Sequence, residues 1–370
     1  MKFSCEKEIL QNACMISARA VAPKSPMPAL EGLKIESTDK VEITGYDLKK
    51  AIYTAIDADI QEQGCILVNS RFFGEMLRRM PDGNLTVESD IRGNIHVQCG
   101  RSEYTFSGLD MEEYPELPEP DKKHYIEIPE RILKDMINRT IFAVAKDEIR
   151  PIYTGSLFEI EGSTLTMVSV DGYRLARKTG EIGAEHAEDC SFVVPGFSLT
   201  DIEKICGEND APVQIVVGEK HISFTIGSTV IITRRLEGDF LNHKTSVPEN
   251  FRYCIGIKKQ TMISAIERVS LMLSDNATTP VRMTFDDNMI RFLCASPIGR
   301  AEDLCPCEGN GDGLEIGFND RYMLEALKAA ETDGLSLCIN TPSSPCVLTA
   351  ADGSQRFTYM ILPVRLRGNI

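Results

Sequence analysis

Three groupings of reactive side chains stand out in this 370-residue chain. Cys305 and Cys307 lie close together in LCPCEG, and thiolates so spaced make half of a zinc site. Closing that site takes a second pair of Cys or His at ligand spacing, and none lies nearby, so no metal is expected. Asp286-Asp287 and Glu302-Asp303 pair carboxylates, the side chains of acid–base work. Both pairs fall in segments that read as turns or edges, where solvated charge is the simpler reading. The third grouping is MVSVDGYRLARK, Met167–Lys178. Its Asp171-Gly172 is a turn signal between two strand-like runs. Tyr173, Arg174 and Arg177 follow as groups able to hold a ligand. No glycine-rich phosphate loop, His-x-x-x-His helix or nucleophile-elbow serine occurs. With five histidines, the chain advertises neither a catalytic residue nor a cofactor. A hydrolase or transferase is disfavoured against a binding scaffold.

Composition narrows the setting. Hydrophobic residues make up 42% and charged residues 26%, as in soluble globular proteins. No apolar run approaches the roughly 20 residues of a membrane helix. The opening MKFSCEKEIL lacks the regions of a signal peptide, so a cytoplasmic protein is expected. Twelve cysteines, among them Cys5, Cys14, Cys65, Cys99, Cys254 and Cys294, are scattered through the elements and read as reduced core thiols. The net charge of −15 confines any nucleic-acid contact to a segregated basic patch.

The elements that must position these groups come in triplicate. A unit of roughly 120–130 residues repeats three times. Each copy opens with a strand and an amphipathic helix, in KFSCEKEILQNACMISARAV from Lys2, YIEIPERILKDMINRTIFAV from Tyr125 and YCIGIKKQTMISAIERVSLM from Tyr253. Ile9, Leu10, Ala13, Cys14 and Ser17 form one helical face in the first. Ile132, Leu133, Met136, Ile137, Ile141 and Val144 form it in the second, and Met262, Ile266, Val269 and Leu273 in the third. The second half of each copy feeds a strand into another helix. Asn69, Arg71 and Phe72 fall on Asn319, Arg321 and Tyr322, and Ser191–Cys206 is the middle version. Alternating strands with turn signals follow. Gly45, Tyr46 and Leu48 of copy one align with Gly172, Tyr173 and Leu175, leaving Arg174 opposite Asp47 as a change of charge. The Pro-rich acidic stretch Leu109–His124 and the segment Glu237–Phe251 mark joints, giving domains at 1–122, 123–250 and 251–370. The fold class is α+β, with two helices and two sheets per domain.

MKFSCEKEIL, VSVDGYRLA, EIGFNDRYMLEAL and YMILPVRL, in this order on a threefold repeat, resemble the family of bacterial replicative sliding clamps, the beta subunits of DNA polymerase III. The resemblance covers the whole chain. It implies three clamp domains per chain and a head-to-tail homodimeric ring with helices inside and strands outside. Such a ring encircles duplex DNA without base readout and tethers the polymerase for processive replication, with no catalysis of its own. The alternative is a diverged clamp-fold scaffold that does not serve the replicase.

The same resemblance implies sites. Candidates facing DNA are Lys24, Arg71, Arg78, Arg79, Lys146, Arg150, Tyr153 and Lys204, with Arg268 and Lys328 in copy three. The ring interface takes Phe72, Met76 and Arg101 on one side and Leu271, Met272, Leu273, Glu302 and Asp303 on the other. Glu103 stands where some relatives carry a basic residue. A pocket for short glutamine- and leucine-rich peptides of polymerase, clamp loader and repair proteins takes Leu157, Val170, Gly172, Tyr173, Arg174, Leu175, Leu241, Pro345, Met360, Ile361, Leu362, Pro363, Val364 and Arg365. Around Leu241 the run DFLNH departs from the usual pattern, and four residues follow Leu366 where many relatives stop.

Overall fold

The computed structural model describes residues 1–119, 121, 124–183, 189–273 and 280–366; the four residues after Leu366 lie outside this set. Among the described residues run helices α1 (Lys7–Ser17), α2 (Ser70–Arg79), α3 (Glu130–Thr140), α4 (Gly196–Ile205), α5 (His243–Ser246), α6 (Lys259–Ser270) and α7 (Asp320–Ala329). Most of the rest is antiparallel strand, gathered into sheets of five, eight and twelve. This is the α+β architecture expected from the repeat.

The first helix of each copy buries the expected stripe: Leu10, Ala13, Cys14 and Ser17; Leu133, Met136 and Ile137; Met262, Ile266 and Val269. The stripe is narrower than the sequence suggests. Ile9 lies on its flank and is exposed. Ile141 and Val144 lie beyond the last residue of α3, and Leu273 beyond the last residue of α6. The second helices start on equivalent caps. The Asn69 side chain accepts the Phe72 N–H at 3.0 Å, and Asn319 accepts the Tyr322 N–H at 3.1 Å.

The chain gathers into two compact units, residues 1–133 with 200–235 and residues 134–199 with 236–370. The first holds the five-stranded sheet, whose edge is Ser102–Ser107, and the eight-stranded sheet. In the latter, Thr229–Arg234 pairs with Lys50–Ile56, a register linking distant stretches of sequence. Phe3, Phe73, Leu77, Leu85 and Val87 fill its core. The second unit holds the twelve-stranded sheet. There Arg174–Glu181 pairs with Phe357–Ile361, so strands of the second and third copies share one sheet. Phe285, Phe292, Phe318 and Tyr359 lie in its main core.

Cysteine usage differs from the expectation in both burial and bonding. Cys5, Cys14, Cys99 and Cys294 are buried and unbonded, as read, while Cys65 is exposed. Cys254 and Cys338, however, form a disulfide. They sit opposite each other on the paired strands Tyr253–Lys258 and Gly334–Ile339. That pairing brings their Cβ atoms within reach of one another, which scattered sequence positions do not reveal. Among the described residues no three His, Cys, Asp or Glu side chains gather as a metal site. No described helix is long and apolar enough to cross a membrane.

The caps give the first prediction. Asn319→Ala leaves the Tyr322 N–H without its acceptor and lowers unfolding free energy by about 1 kcal/mol in denaturant titration. An unchanged midpoint would show the cap contributes nothing.

Candidate functional site

The Asp171-Gly172 turn is built as its residues dictate. The Asp171 carboxylate accepts the N–H groups of Tyr173 and Arg174 at 2.9 and 3.0 Å. Gly172 occupies φ +91°, which glycine tolerates without strain. The turn delivers Arg174 to the helix side of the sheet, where its side chain is 3% exposed. Its Nε donates to Asp171 at 2.9 Å, and its terminal nitrogens donate to Glu325 of α7 and to the Phe142 carbonyl. The guanidinium also lies over the rings of Tyr322 and Phe142, at 4.3 and 5.3 Å. The Arg174 side chain is thus engaged within the fold.

Copy one shows the same device. Asp47 accepts the Lys49 and Lys50 N–H groups at 2.9 and 2.8 Å, and Leu48 takes φ +69° in the place of Gly172. Lys50, buried, pairs with Asp201 of α4 much as Arg174 pairs with Glu325 of α7. The structural counterparts of Asp171 and Arg174 are therefore Asp47 and Lys50. The alignment of Gly45 with Gly172 was off by the length of the turn, and the apparent change of charge disappears.

Side chains alternate along a strand, so Leu175, the next residue after Arg174, faces the other way. Leu175 enters an apolar cluster with Leu157, Val168, Val170, Val193, Val347 and Met360. Tyr153 and Ile152 join them, and the segment before and after α5 lays Phe240, Leu241, Val247 and Phe251 against the cluster. Asn242 caps α5 by accepting the Lys244 N–H at 3.2 Å. His243, buried, holds it down through Glu159 at 3.1 Å. Burial lowers the His243 pKa more than Glu159 raises it, favouring the neutral ring. Leu241 packs against this cluster despite its unusual surroundings.

Several pocket candidates lie outside this apolar cluster. Ile361 is 1% exposed and belongs to the core on the opposite face from Met360. The Val364 N–H donates to the Gly317 carbonyl at 2.8 Å, so the tail Pro363–Arg365 runs along strand Leu314–Phe318. Tyr173 is exposed on the helix side, stacked 6.4 Å from Tyr322, and its carbonyl accepts the Leu362 N–H at 2.8 Å. A cavity of about 150 Å³ lies there among Lys146, Asp171, Tyr173, Arg174, Arg321 and Tyr322. Pro345 precedes Cys346 and Val347 at the cluster's edge and is half-buried. Sequence reading missed Tyr153, Phe240, Val247 and Val347 as walls. It also missed Arg177, two residues on from Leu175 and so on its face, where it donates to the Thr358 hydroxyl at 3.0 Å. Burial lowers the Arg177 pKa.

Of the basic candidates, Lys24, Arg71, Arg78, Arg79, Lys146, Arg150 and Lys204 are exposed. Arg71 and Arg78 are seven apart on α2, hence on one side of it. Glu75 sits beside Arg78 and Arg79 at 2.7 and 3.6 Å. The Tyr153 ring, by contrast, is buried edge-on against Phe240, 5.6 Å between centroids. Arg268 and Lys328 pair with Asp303 and Glu267.

The interface candidates divide likewise. Phe72 is 45% exposed and packs edge-on against Phe106. Arg101 is exposed beside the edge strand Ser102–Ser107. Met76 is 4% exposed and lies in the first unit's core. In the second unit Leu271 is 75% exposed, with Met272 and Leu273 half-buried behind it. Glu302 contacts Arg300 at 3.0 Å. Strand Gly299–Glu308 meets Tyr253–Lys258 only at Cys307 and Glu308, which leaves its first part with an open edge. Ile298 and Leu304, exposed there, were not anticipated.

Models of the N-terminal, central and C-terminal domains of the DNA polymerase III beta subunit match residues 1–118, 127–242 and 244–365. The beta sliding clamp of Bacillus subtilis (strain 168) is 29% identical over 377 residues, covering 99% of this chain and 100% of the relative. That of Halalkalibacterium halodurans is 28% identical over 382 residues, covering 99% and 100%. The crystal structure of the B. subtilis sliding clamp matches with a TM-score of 0.94 at 29% identity, covering 99% of this chain and 100% of that one. A putative DNA polymerase III beta subunit from Eubacterium rectale gives 0.93 at 28% identity, covering 98% and 99%.

Arg174→Ala removes the guanidinium from Asp171, Glu325 and the Phe142 carbonyl, leaving a buried gap, and thermal unfolding should show a loss of about 3 kcal/mol. Burial alone would raise the Glu325 pKa, but Arg174 and Arg321 outweigh it and hold the carboxyl below its usual range. A carboxylate lowered in the native state adds stability above its unfolded pKa and loses it as pH falls through the native one. The wild-type advantage therefore shrinks below about pH 4. A gap that persists into acid would contradict the ion-pair account.

Proposed function

This chain belongs to the DNA polymerase III beta subunit family and is a replicative DNA sliding clamp; on that premise we propose how its surface is divided among DNA, a second copy and peptide partners. The carrying observation is that three successive domain models of one family match the chain in order, almost end to end. A clamp-fold scaffold with other cargo has no observation in its favour. The clamp contributes no catalysis, and polymerisation belongs to a partner subunit.

Two copies close head to tail into a ring around duplex DNA. The open edge of Ser102–Ser107 on one copy meets the open first part of Gly299–Glu308 on the next, a heterologous contact that two copies close. Phe72 and Phe106 then face Leu271, Met272 and Ile298, with Arg101 near Glu302 and Asp303. The exposed basic side chains Lys24, Arg71, Arg78, Arg79, Lys146, Arg150 and Lys204 line the hole. On a chain of net charge −15 they offer phosphates a weak, sequence-blind wall, which suits a ring that must slide. The apolar cluster of Tyr153, Leu157, Val170, Leu175, Leu241, Val247, Val347 and Met360 takes the apolar end of a short partner peptide. Arg177 is the nearby polar group that orients it. The protein works where the chromosome is, in the cytoplasm.

The test is topological. Placed on nicked circular duplex by its cognate loader, the wild-type chain should stay bound through gel filtration and come off when the circle is linearised. Leu271→Asp should sediment as a monomer and never be retained. A wild-type monomer at micromolar concentration, or retention indifferent to linearisation, would refute the ring.

A further inference from the structure

The walls of the apolar cluster lie along one cross-strand line, and that line does not stop at the cluster. Val170 is opposite Leu175, Leu175 opposite Met360, and Met360 opposite Val347. Val347 is in turn opposite Cys338, and Cys338 opposite Cys254. Residues directly opposite in antiparallel pairs share a face of the sheet. The pocket face therefore runs across six adjacent strands into the disulfide between Cys254 and Cys338. At the outer end Cys254 is exposed, while Cys338 is 6% exposed. The bond fastens the first strand of the third copy to Gly334–Ile339, next to the strand that carries Val347.

We propose that the Cys254–Cys338 disulfide is a reversible thiol–disulfide site that sets how firmly the adjoining apolar pocket holds partner peptides. The coupling rests on the reading of the cluster as the peptide pocket. A disulfide in a protein that works in a reducing compartment is usually transient and redox-sensing. The exposed end gives a thiolate access, with dithiol proteins and small thiols as the reductants. Attack by a dithiol's thiolate on the Cys254 sulfur breaks the S–S bond and expels Cys338 as thiolate, which takes up a proton. The second thiol of the reductant then resolves the mixed disulfide and releases Cys254, so two electrons and two protons enter the clamp and the reductant leaves as a disulfide. The reverse exchange with an oxidised thiol restores the bond. Bonded, the strand beside Val347 is held in register and the wall is preorganised. Reduced, the wall loses that brace, and the peptide must order it on binding.

The experiment uses the full chain in oxidised form and after dithiothreitol. Differential alkylation with peptide mapping counts free thiols at Cys254 and Cys338. Fluorescence anisotropy measures affinity for a labelled short peptide, glutamine- and leucine-rich with an apolar end. Reduction should expose both thiols and weaken the peptide about fivefold, the lower range for coupled sites. The double variant Cys254→Ser, Cys338→Ser should match the reduced protein and ignore dithiothreitol. Equal affinity in both states, with thiol counting showing complete reduction, would overturn the coupling and leave the pocket standing. Failure of the peptide to bind in either state would remove the pocket reading, and the coupling with it. Thiols free at both positions before any reductant would overturn the site itself.

Discussion

The antiparallel pairing of Arg174–Glu181 with Phe357–Ile361 is the constraint on which the second unit depends. One register decides two faces at once. It puts Leu175 beside Met360 on the apolar side and Arg174 beside Ile361 on the helix side. A slip by one residue would bury a guanidinium in the cluster and turn Leu175 toward Glu325. The Arg174 contacts with Asp171, Glu325 and Phe142 oppose that slip, because a buried guanidinium without partners is far costlier than a displaced leucine. The polar fastening on one face therefore specifies the apolar site on the other. Lys50 and Asp201 do the same beside the pairing of Lys50–Ile56 with Thr229–Arg234.

Much of this was legible in the sequence. Helical stripes, N-cap asparagines and the Asp-Gly turn are local signals, and each appears where its residues put it. The repeat, read three times over, gave the fold class. Local signals do not carry register. Met76, Ile361 and Tyr153 are residue types equally at home in a core and at a binding surface. Only the neighbouring strands and helices decide which, and they turn all three inward. The same limit hid Phe240, Val247 and Val347, which reach the cluster from separate parts of the chain. It also hid the disulfide, whose cysteines are 84 residues apart. The alignment of the turn failed for a simpler reason. Leu48 takes the left-handed conformation that the sequence reserved for a glycine, so Gly45 drew the match away from Asp47.

The surface reads as a division of labour that a strongly acidic chain can sustain. Exposed basic side chains stand on helices and loops, above all on α2. An exposed edge is an aggregation hazard unless something pairs with it. Here each unit keeps one such edge beside exposed apolar side chains, Phe72 in the first and Leu271, Ile298 and Leu304 in the second. The proposed ring would satisfy both edges at once.

On the proposed reading, one register gives the sheet a ligand face and a structural face. Methionine methyl NMR addresses it directly. Met360 lies in the apolar cluster, whereas Met283 and Met323 lie in the core behind the sheet. As the peptide is added, the Met360 methyl resonance should shift and saturate with the binding curve while those of Met283 and Met323 stay in place. A peptide that binds without moving Met360, or that moves Met283 or Met323 instead, would contradict the assignment of the faces.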